Sequence, residues 1–298
     1  MKTMKFFYDT RKDSYRFEDE PVNFFINVGL QVTRRCNLKC LYCCEDGLIP
    51  DASLKMIQKM VDILVSNGLK RISVTGGEPL LRQDLKDILK YIKEKNVTIT
   101  LSTNGMNLSE KILKEIRPYI DNIRFSIRGL EKIHNAVTGN PESFKKVMEA
   151  VALSKDFGLP VSVVTTIIGD NLKYMEDIAR LCEKIGVEKL YFFSLIQRGR
   201  AIKIYNKEYV QIDKINREYN RIVELSKNEG WNIDIKVTNY TIEGECVLIF
   251  PNGDVVGVPS FTSDKNQLIL GNVLRDNVAD LWKKYPFKEN YINYYRNH

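Results

Sequence analysis

Three cysteines lie close together in the segment CNLKCLYC, at positions 36, 40 and 43. Their spacing, C-x3-C-x2-C, places three thiolates on one short loop. A cubane [4Fe–4S] cluster has four irons that each take a ligand, most often a Cys thiolate. Three protein ligands leave one iron open to bind and activate a small molecule. The segment therefore predicts a catalytic iron–sulfur cluster held by Cys36, Cys40 and Cys43.

Clustered thiolates also occur in structural zinc sites, which usually have four ligands. The chain offers only His134 and His298 as imidazoles, and Cys44 directly follows Cys43. Adjacent cysteines rarely reach the same metal because the chain between them would be strained. A disulfide framework is a third alternative, which six cysteines in 298 residues without a secretory signal do not favour. We therefore favour the iron–sulfur cluster.

The surroundings of the cysteines are typical of a ligand site at the ends of parallel strands. Four β-rich runs, at 27–32, 71–75, 98–102 and 122–126, each end in small, polar or glycine residues. The residues that follow these runs are Thr33-Arg34-Arg35, Gly76-Gly77-Glu78-Pro79, Thr103-Asn104-Gly105 and Ile127-Arg128-Gly129. Parallel α/β folds form their ligand sites at this edge of the sheet.

Helical and strand patterns alternate along the chain. Apolar residues recur three and four apart at 54–66, 84–95, 110–117, 142–157, 174–185 and 212–228, which predicts helices there. Two more strands are predicted at 161–168 and 189–195. Six strand–helix pairs of this kind imply an α/β fold, in which helices cover a parallel sheet.

The segments CNLKCLYC, GGEP, STNG and SIRG resemble, in this order, the motifs of the radical S-adenosylmethionine (SAM) superfamily, over roughly the first two thirds of the chain. The resemblance implies a partial (β/α)6 TIM-like barrel that is open on one side. It implies a [4Fe–4S] cluster and SAM as cofactors, and an electron donor such as flavodoxin or ferredoxin. A dry barrel interior would protect carbon radicals from quenching.

The resemblance also assigns SAM contacts. Tyr42 would pack beside the cluster and the adenine, although a tyrosine there also serves ordinary loop packing. The turn Gly76-Gly77-Glu78-Pro79 would meet the methionine amino group, the glycines by close backbone approach and the carboxylate as acceptor. Further contacts are Ser102 and Asn104 with the ribose, Ser126 with the methionine carboxylate or ribose, and Arg198 and Arg200 with a carboxylate of SAM or substrate. The serines and the asparagine are also common turn formers.

After about residue 229 the pattern changes to short strands. These are predicted at 231–237, 247–250 and 254–258, with Pro251-Asn252-Gly253-Asp254 as a hairpin turn and a last helix at 278–284. The region resembles the C-terminal extension of the SPASM/twitch subgroup, where additional cysteines bind auxiliary clusters. This region of the sequence contains only Cys246, so we expect a degenerate extension without those clusters. The predicted domains are an N-terminal extension 1–26, a barrel 27–228 and the C-terminal extension 229–298.

Cys182, Cys246 and Arg128 need separate interpretation. Cys182 lies on the apolar side of a predicted helix and is expected in the core. Cys246 opens the strand before the hairpin, and some radical SAM epimerases use a single thiol to return a hydrogen atom to the substrate. A packed thiol or a remnant of a lost site is the alternative, because buried cysteines are common. Arg128 stands where the related segment SxDG has an acidic residue, so no role is carried over to it.

The composition predicts a soluble protein. Apolar residues make up 44% of the chain, and no uninterrupted apolar stretch is long enough to cross a bilayer. The N-terminus is too charged for a signal peptide, so we expect a cytoplasmic location, where clustered thiols stay reduced. The net charge of +7 is spread out, without the dense basic run that would favour nucleic-acid binding.

These features predict a radical SAM enzyme that cleaves SAM reductively at the cluster and abstracts a hydrogen atom from a peptide or small metabolite, in a modification or biosynthetic pathway. Because auxiliary clusters are not expected, redox-neutral chemistry is favoured over oxidative chemistry. One such reaction is epimerisation, in which Cys246 would be the hydrogen-atom donor. A viperin-like nucleotide dehydratase shares the barrel, but the hairpin and the segment Leu270-Gly271-Asn272-Val273 that follows it argue against this alternative. A non-enzymatic iron–sulfur or zinc protein would leave the GGEP and STNG segments without a purpose.

Overall fold

The computed structural model describes residues 25–44, 49–238, 246–258 and 268–286 and the backbone of 6–9 and 14–17; at 246 and 258 it describes the backbone alone. The strands are β1 (Phe6–Asp9), β2 (Ser14–Phe17), β3 (Asn27–Thr33), β4 (Arg71–Gly76), β5 (Thr98–Thr103), β6 (Asn122–Ser126), β7 (Val161–Thr166), β8 (Lys189–Phe193), β9 (Asp234–Thr238), β10 (Cys246–Ile249), β11 (Asp254–Val258) and β12 (Leu268–Asn272). The helices are α1 (Leu54–Ser66), α2 (Leu85–Glu94), α3 (Glu110–Ile116), α4 (Glu131–Thr138), α5 (Ser143–Asp156), α6 (Met175–Lys184), α7 (Tyr205–Glu208), α8 (Ile212–Asn228) and α9 (Val278–Lys284).

The main sheet has ten strands, in the order β12-β11-β10-β3-β4-β5-β6-β7-β8-β9. All neighbours from β10 to β9 run parallel, whereas β10, β11 and β12 pair antiparallel. β1 and β2 form a separate two-stranded sheet. The two end strands of the main sheet, β12 and β9, do not pair with each other, so the sheet is not closed. The predicted α/β fold with an open parallel sheet is confirmed.

Local sequence explains why the helices form and which face they bury. The side chain of Ser53 accepts a hydrogen bond from the Met56 N–H and caps the start of α1. The buried residues of α1 recur three and four apart and are Ile57, Met60, Val61 and Leu64. Removing each such side chain from water stabilises the fold by about 1.5–3 kcal/mol. No helix in the described ranges is long and apolar enough to cross a membrane.

Most predicted elements agree with the structure, with α4 as the main exception. Helices α1 and α8 begin and end at the predicted residues. Helix α4 was not predicted, because its buried residues are His134, Val137 and Thr138 and only the valine is apolar. The strand predicted at 231–237 begins later, at Asp234, and pairs parallel with β8 as the seventh parallel strand counted from β3.

The predicted C-terminal hairpin is confirmed. β10 and β11 pair antiparallel with Ile249 opposite Val255, and Gly253 turns with a φ of 89° that favours glycine. β10 also pairs parallel with β3, where Leu248 lies opposite Gly29. The hairpin therefore extends the main sheet beside the strand that leads into the cysteine loop.

Helix α9 attaches the C-terminal segment to the start of β3. The rings of Phe25 and Trp282 meet edge-on, with centroids 5.1 Å apart. The centroid of Tyr285 lies 5.8 Å from that of Phe25. Edge-to-face pairs of this kind contribute about 0.5–1.5 kcal/mol beyond the area that they bury.

A small hydrophobic cluster, which we call the Tyr42 cluster, lies apart from the main core. Its buried members are Tyr42, Val137, Ile168, Leu195 and Ala201. They come from the cysteine loop, from α4, and from the segments that follow β7 and β8. The loop that carries the cysteines is therefore packed on apolar side chains from three other parts of the chain.

Candidate active site

A cavity of about 310 Å³ lies where the parallel strands end and the cysteine loop begins. The three motif cysteines line it. The other residues that line it and were predicted from the sequence are Tyr42, Gly76, Gly77, Ser102, Asn104, Ser126 and Arg198. The strand ends β4, β5 and β6 and the segment after β8 thus bring one site together around the thiols.

Cys40 and Cys43 are half-buried, whereas Cys36 is exposed. The Leu38 N–H donates to Cys36 Sγ at 3.4 Å, and Asn104 Nδ2 lies 3.8 Å from the same sulfur. Desolvation by the surrounding protein atoms raises the pKa of Cys36 to about 11. Burial also raises the pKa of Cys40, and the charge of Arg128 is the largest opposing cause. Because metals bind thiolates, loading of the site must release protons.

The arrangement of the thiols fits a cluster. In a cubane each thiolate binds a different iron, so the sulfurs only need to surround one cavity. Cys36, Cys40 and Cys43 meet that condition.

The two glycines after β4 lie against the backbone that leads into the cysteine loop. The Gly77 N–H donates to the Thr33 carbonyl at 2.8 Å, and the Glu78 N–H donates to the Arg35 carbonyl at 2.8 Å. A Cβ atom at Gly76 would collide with Thr33, and one at Gly77 would collide with the Arg35 carbonyl oxygen. Glycine is thus required here for contact between two chain segments.

The far end of the cysteine loop is held by other segments. The Arg200 N–H donates to the Cys43 carbonyl at 2.9 Å, and Arg200 Nε donates to the Cys40 carbonyl at 2.8 Å. The Leu41 N–H donates to the Val137 carbonyl of α4 at 2.9 Å. Hydrogen bonds of the chain itself therefore hold the loop on both sides.

Glu78 is fully buried, and its carboxylate accepts three hydrogen bonds from the protein. Oε1 accepts from the Leu80 N–H at 3.1 Å and from the Thr103 hydroxyl at 2.7 Å. Oε2 accepts from the Asn104 N–H at 2.7 Å. Burial raises the pKa of this carboxyl, and the three donors lower it. The side chain therefore fixes the end of β5 to the turn after β4.

Arg128, to which the sequence assigned no role, also lines the cavity. Its guanidinium carbon lies 5.1 Å from the centroid of the Tyr42 ring. Its backbone N–H donates to His134 Nδ1 at 3.1 Å, and its carbonyl accepts from Asn171 Nδ2 at 3.1 Å. Burial, followed by the Arg128 charge, lowers the pKa of His134 to about 3, so the imidazole stays neutral.

One signal for Arg128 was present in the sequence. The residue lies two positions beyond the end of β6, at the edge of the sheet where ligand sites form. His134 and Asn171 carry no comparable signal, because they reach Arg128 only through the fold.

A family model described as the radical SAM superfamily matches residues 30–182, just over half of the chain. The chain belongs to the radical SAM superfamily. This result confirms the predicted enzyme class over a non-enzymatic iron–sulfur or zinc protein. It also confirms the predicted cofactors, a [4Fe–4S] cluster and SAM, which are those of the superfamily.

Relatives of this radical SAM protein are named for different biosynthetic activities. An AdoMet-dependent heme synthase of Oleidesulfovibrio alaskensis is 30% identical over 183 residues, which are 59% of this chain and 47% of that protein. AlbA, an antilisterial bacteriocin subtilosin biosynthesis protein of Bacillus subtilis, is 24% identical over 271 residues, 86% of this chain and 59% of that protein. The match with the heme synthase thus spans about half of that relative's length.

The fold of the radical SAM protein is also similar to solved structures. Streptococcus suis SuiB, in its crystal structure bound to the precursor peptide SuiA, matches with a TM-score of 0.73 and 15% identity. The match covers 92% of this chain and 67% of the SuiB chain. At this identity the likeness shows the shared architecture.

Three of the predicted SAM contacts are not among the described lining residues of the radical SAM site. Pro79 is buried and begins a short 3-10 turn, Pro79–Leu81. The Glu78 carboxylate and the Arg200 side chain make the protein hydrogen bonds given above. Direct SAM contacts for Glu78, Pro79 and Arg200 stay predictions, as do those of the residues that line the cavity.

The three cysteines outside the motif lie in different parts of the fold. Cys182 is fully buried in α6, as expected for a core residue. Cys44, which directly follows the third motif cysteine, lines the cavity as well. The backbone of Cys246 opens β10, and its side chain lies outside the described residues. The role of Cys246 as a hydrogen-atom donor stays a prediction.

Proposed function

We propose that this radical SAM enzyme cleaves SAM reductively and abstracts a hydrogen atom from a peptide substrate. One observation carries the proposal. The three motif thiols and the predicted SAM-binding strand ends line a single cavity of about 310 Å³. That volume lies within the range of ligand sites in proteins.

The residues around the cavity would bind different parts of the cofactors, according to the chemistry of their side chains. Cys36, Cys40 and Cys43 would hold the cluster, which supplies the electron for splitting SAM when it is bound. Ser102 and Asn104 offer a hydroxyl and an amide that suit ribose hydroxyl groups. The guanidinium of Arg198, whose residue is only 3% exposed, suits a carboxylate. Reduction of the cluster would require an electron donor such as flavodoxin or ferredoxin.

Part of the cavity wall is apolar, which favours radical chemistry. Val164, Phe193, Leu195 and Leu248 line the cavity on the side of β7, β8 and β10. Apolar walls exclude water, and exclusion of water limits side reactions of a carbon radical. The side chains of this wall would therefore protect the substrate radical once it forms.

Two likenesses support a peptide over a small metabolite as the substrate. AlbA, which matches 86% of this chain, is named as a bacteriocin biosynthesis protein. SuiB, which shares the fold over 92% of this chain, is bound to its precursor peptide. We propose that residues 229–298 form a SPASM/twitch-like extension without auxiliary clusters, because Cys246 is the only cysteine in that part of the sequence. The domain limits at residues 26 and 228 belong to the same proposal.

The test uses the anaerobically reconstituted protein, reduced with dithionite in the presence of SAM. We expect 5′-deoxyadenosine from the wild type and from Cys182→Ala, but none from Cys40→Ala. To identify the substrate class, an extract of cells grown in D2O is separated into peptides and small metabolites. Deuterium should enter 5′-deoxyadenosine from the peptide fraction. Transfer from the metabolite fraction alone would overturn the peptide assignment, and no cleavage of SAM by a cluster-loaded wild type would overturn the whole proposal.

An epimerase that uses Cys246 is the second candidate. The observation in its favour is that Leu248, two residues further along β10, lines the cavity. An epimerase would take up deuterium from D2O at one substrate carbon, delivered by the thiol. Equal uptake by Cys246→Ala and by the wild type would exclude this candidate and leave the first proposal intact.

A further inference from the structure

We propose that Arg128 is the anchor for a carboxylate group that binds in the cavity. The inference rests on the proposed use of this cavity for SAM and substrate. The carboxylate is the part of the ligand that the Arg128 side chain would recognise. The sequence had predicted no role for this position.

Arg128 carries a charge beside the cavity. The residue lines the cavity and is only partly exposed. Within the ranges that the structure describes, no carboxylate pairs with it, and the group that it meets is the face of the Tyr42 ring. A cation that has lost part of its water without gaining an anion costs free energy. A carboxylate in the cavity would recover that cost through charge-assisted hydrogen bonds.

The fold fixes the backbone of Arg128 from two sides. The His134 imidazole accepts from its N–H, and the buried amide of Asn171 donates to its carbonyl. Asn171 is itself held, because its Nδ2 also donates to the Thr166 carbonyl at 2.9 Å and its Oδ1 accepts from the Ile168 N–H at 2.8 Å. A side chain on a fixed backbone loses less entropy when it binds a ligand.

The surroundings of the guanidinium suit a bound carboxylate. His134 stays neutral, so it does not compete with Arg128 for a carboxylate. Cys40 and Arg128 line the same cavity. Ser126, two residues before Arg128, lines the same cavity and offers a hydroxyl donor. A guanidinium and a hydroxyl together match the two oxygens of one carboxylate.

The carboxylate has two sources in this cavity. One is the methionine part of SAM, and the other is an acidic side chain or C-terminus of a peptide substrate. Both present the same two oxygens to the guanidinium, so binding measurements with separate probes must distinguish them.

The experiment compares the cluster-loaded wild type with Arg128→Gln and with the control Arg124→Gln. Arg124 lies on β6, and its guanidinium carbon is 4.9 Å from the centroid of the Tyr191 ring, but it is not among the described lining residues of the cavity. Dissociation constants are measured by equilibrium dialysis for SAM and for decarboxylated SAM. Saturation-transfer NMR of acetate on the SAM-saturated protein then tests for a second carboxylate.

If Arg128 binds the SAM carboxylate, Arg128→Gln raises the Kd of SAM about 10- to 100-fold, and the Kd of decarboxylated SAM changes less than about threefold. If Arg128 binds a substrate carboxylate, the Kd of SAM is unchanged and the acetate signal of the wild type is lost in Arg128→Gln. Arg124→Gln should resemble the wild type in both assays.

Equal behaviour of Arg128→Gln and Arg124→Gln in both assays would overturn the inference. A cluster-loaded wild type that binds no SAM would instead overturn the proposed function. The iron content of each variant is measured first. If Arg128→Gln loses iron, Arg128→Lys replaces it, because it retains the charge but not the planar fork. We then expect a smaller rise in the same Kd or a weaker acetate signal, and wild-type values for Arg128→Lys in both assays would overturn the inference.

Discussion

Arg200 Nε donates a hydrogen bond to the Cys40 carbonyl oxygen at 2.8 Å, across 160 residues of sequence. The backbone N–H of the same arginine donates to the Cys43 carbonyl at 2.9 Å. The segment after β8 therefore holds the backbone of two of the three motif cysteines. Arg200 therefore stabilises the conformation of the cysteine loop, whichever ligand binds in the cavity.

Arg200→Lys should loosen the cysteine loop. Lysine keeps the charge but cannot place a planar Nε–H against the Cys40 carbonyl, so the apoprotein should lose about 1–2 kcal/mol of unfolding free energy. Urea unfolding of the apoprotein measures this. The control is Arg217→Lys on the exposed surface of α8, which should change the free energy by less than about 0.5 kcal/mol. Equal values for the two variants would show that the hydrogen bond contributes nothing.

Glu78→Gln should destabilise the protein even without cofactors. An amide in place of the carboxylate turns one of its two acceptors into a donor that faces N–H or O–H groups, at a cost of about 2 kcal/mol. The measurement is the urea midpoint of the apoprotein, with Glu94→Gln as an exposed control. If the carboxylate served only to bind SAM, both variants would unfold like the wild type in the absence of SAM.

Gly77→Ala should disrupt the contact between the turn after β4 and the cysteine loop. The added Cβ collides with the Arg35 carbonyl oxygen, and we expect a loss of about 3 kcal/mol together with poor iron retention. Gly158→Ala is the control, because a Cβ there has no neighbour within 4 Å although φ is 63°. It should cost about 1 kcal/mol and leave iron binding intact. Normal iron content in Gly77→Ala would contradict the steric argument.

Acid should destabilise the protein through His134. The pKa of this imidazole is about 3 in the fold, against 6.5 for an ordinary histidine, because burial and then the Arg128 charge disfavour the cation. The unfolded chain therefore binds the proton more readily, and the contribution of His134 is complete above about pH 6.5 and falls towards pH 3. The loss is about 1.4 kcal/mol per pH unit.

His134→Asn keeps an acceptor and removes this titration. Its urea midpoint should fall less between pH 7 and pH 5 than that of the wild type, by a difference equal to about 2 kcal/mol. His298→Asn, the variant of the other histidine, serves as the control. Identical pH dependence in wild type and His134→Asn would refute the prediction.

The adjacent cysteines Cys43 and Cys44 should behave differently. Cys43→Ala should abolish cluster binding after anaerobic reconstitution, whereas Cys44→Ala should retain about four irons per chain. Iron and sulfide analysis measures both. The reverse result would make Cys44 the third ligand. A content of roughly eight irons in the wild type would show an auxiliary cluster and contradict a degenerate C-terminal extension.

Features that depend on neighbouring residues could be predicted from the sequence. The cap at Ser53 and the apolar spacing of α1 are local, and the predicted bounds of that helix agree with the structure. The cysteine motif is local as well, and the strand ends that line the cavity follow from the alternation of strands and helices.

Features that depend on distant residues could not be predicted in the same way. The bond between Arg200 and Cys40 joins two segments that share no local pattern. The sequence presents Glu78 as an acceptor for a ligand, and only the fold shows that protein donors already surround its carboxylate. Helix α4 has too few apolar residues to show a helical repeat in the sequence. The position of His134, which accepts a hydrogen bond from the Arg128 N–H, could therefore not be predicted either.

Hydrogen bonds hold the cysteine loop from two sides. Contacts at Thr33, Arg35, Cys40 and Cys43 shape the socket with protein atoms alone. Because protein atoms alone form these hydrogen bonds, we expect the loop to keep its conformation when a cluster is lost to oxygen. A new cluster should then assemble from iron and sulfide on the existing chain, without refolding of the loop.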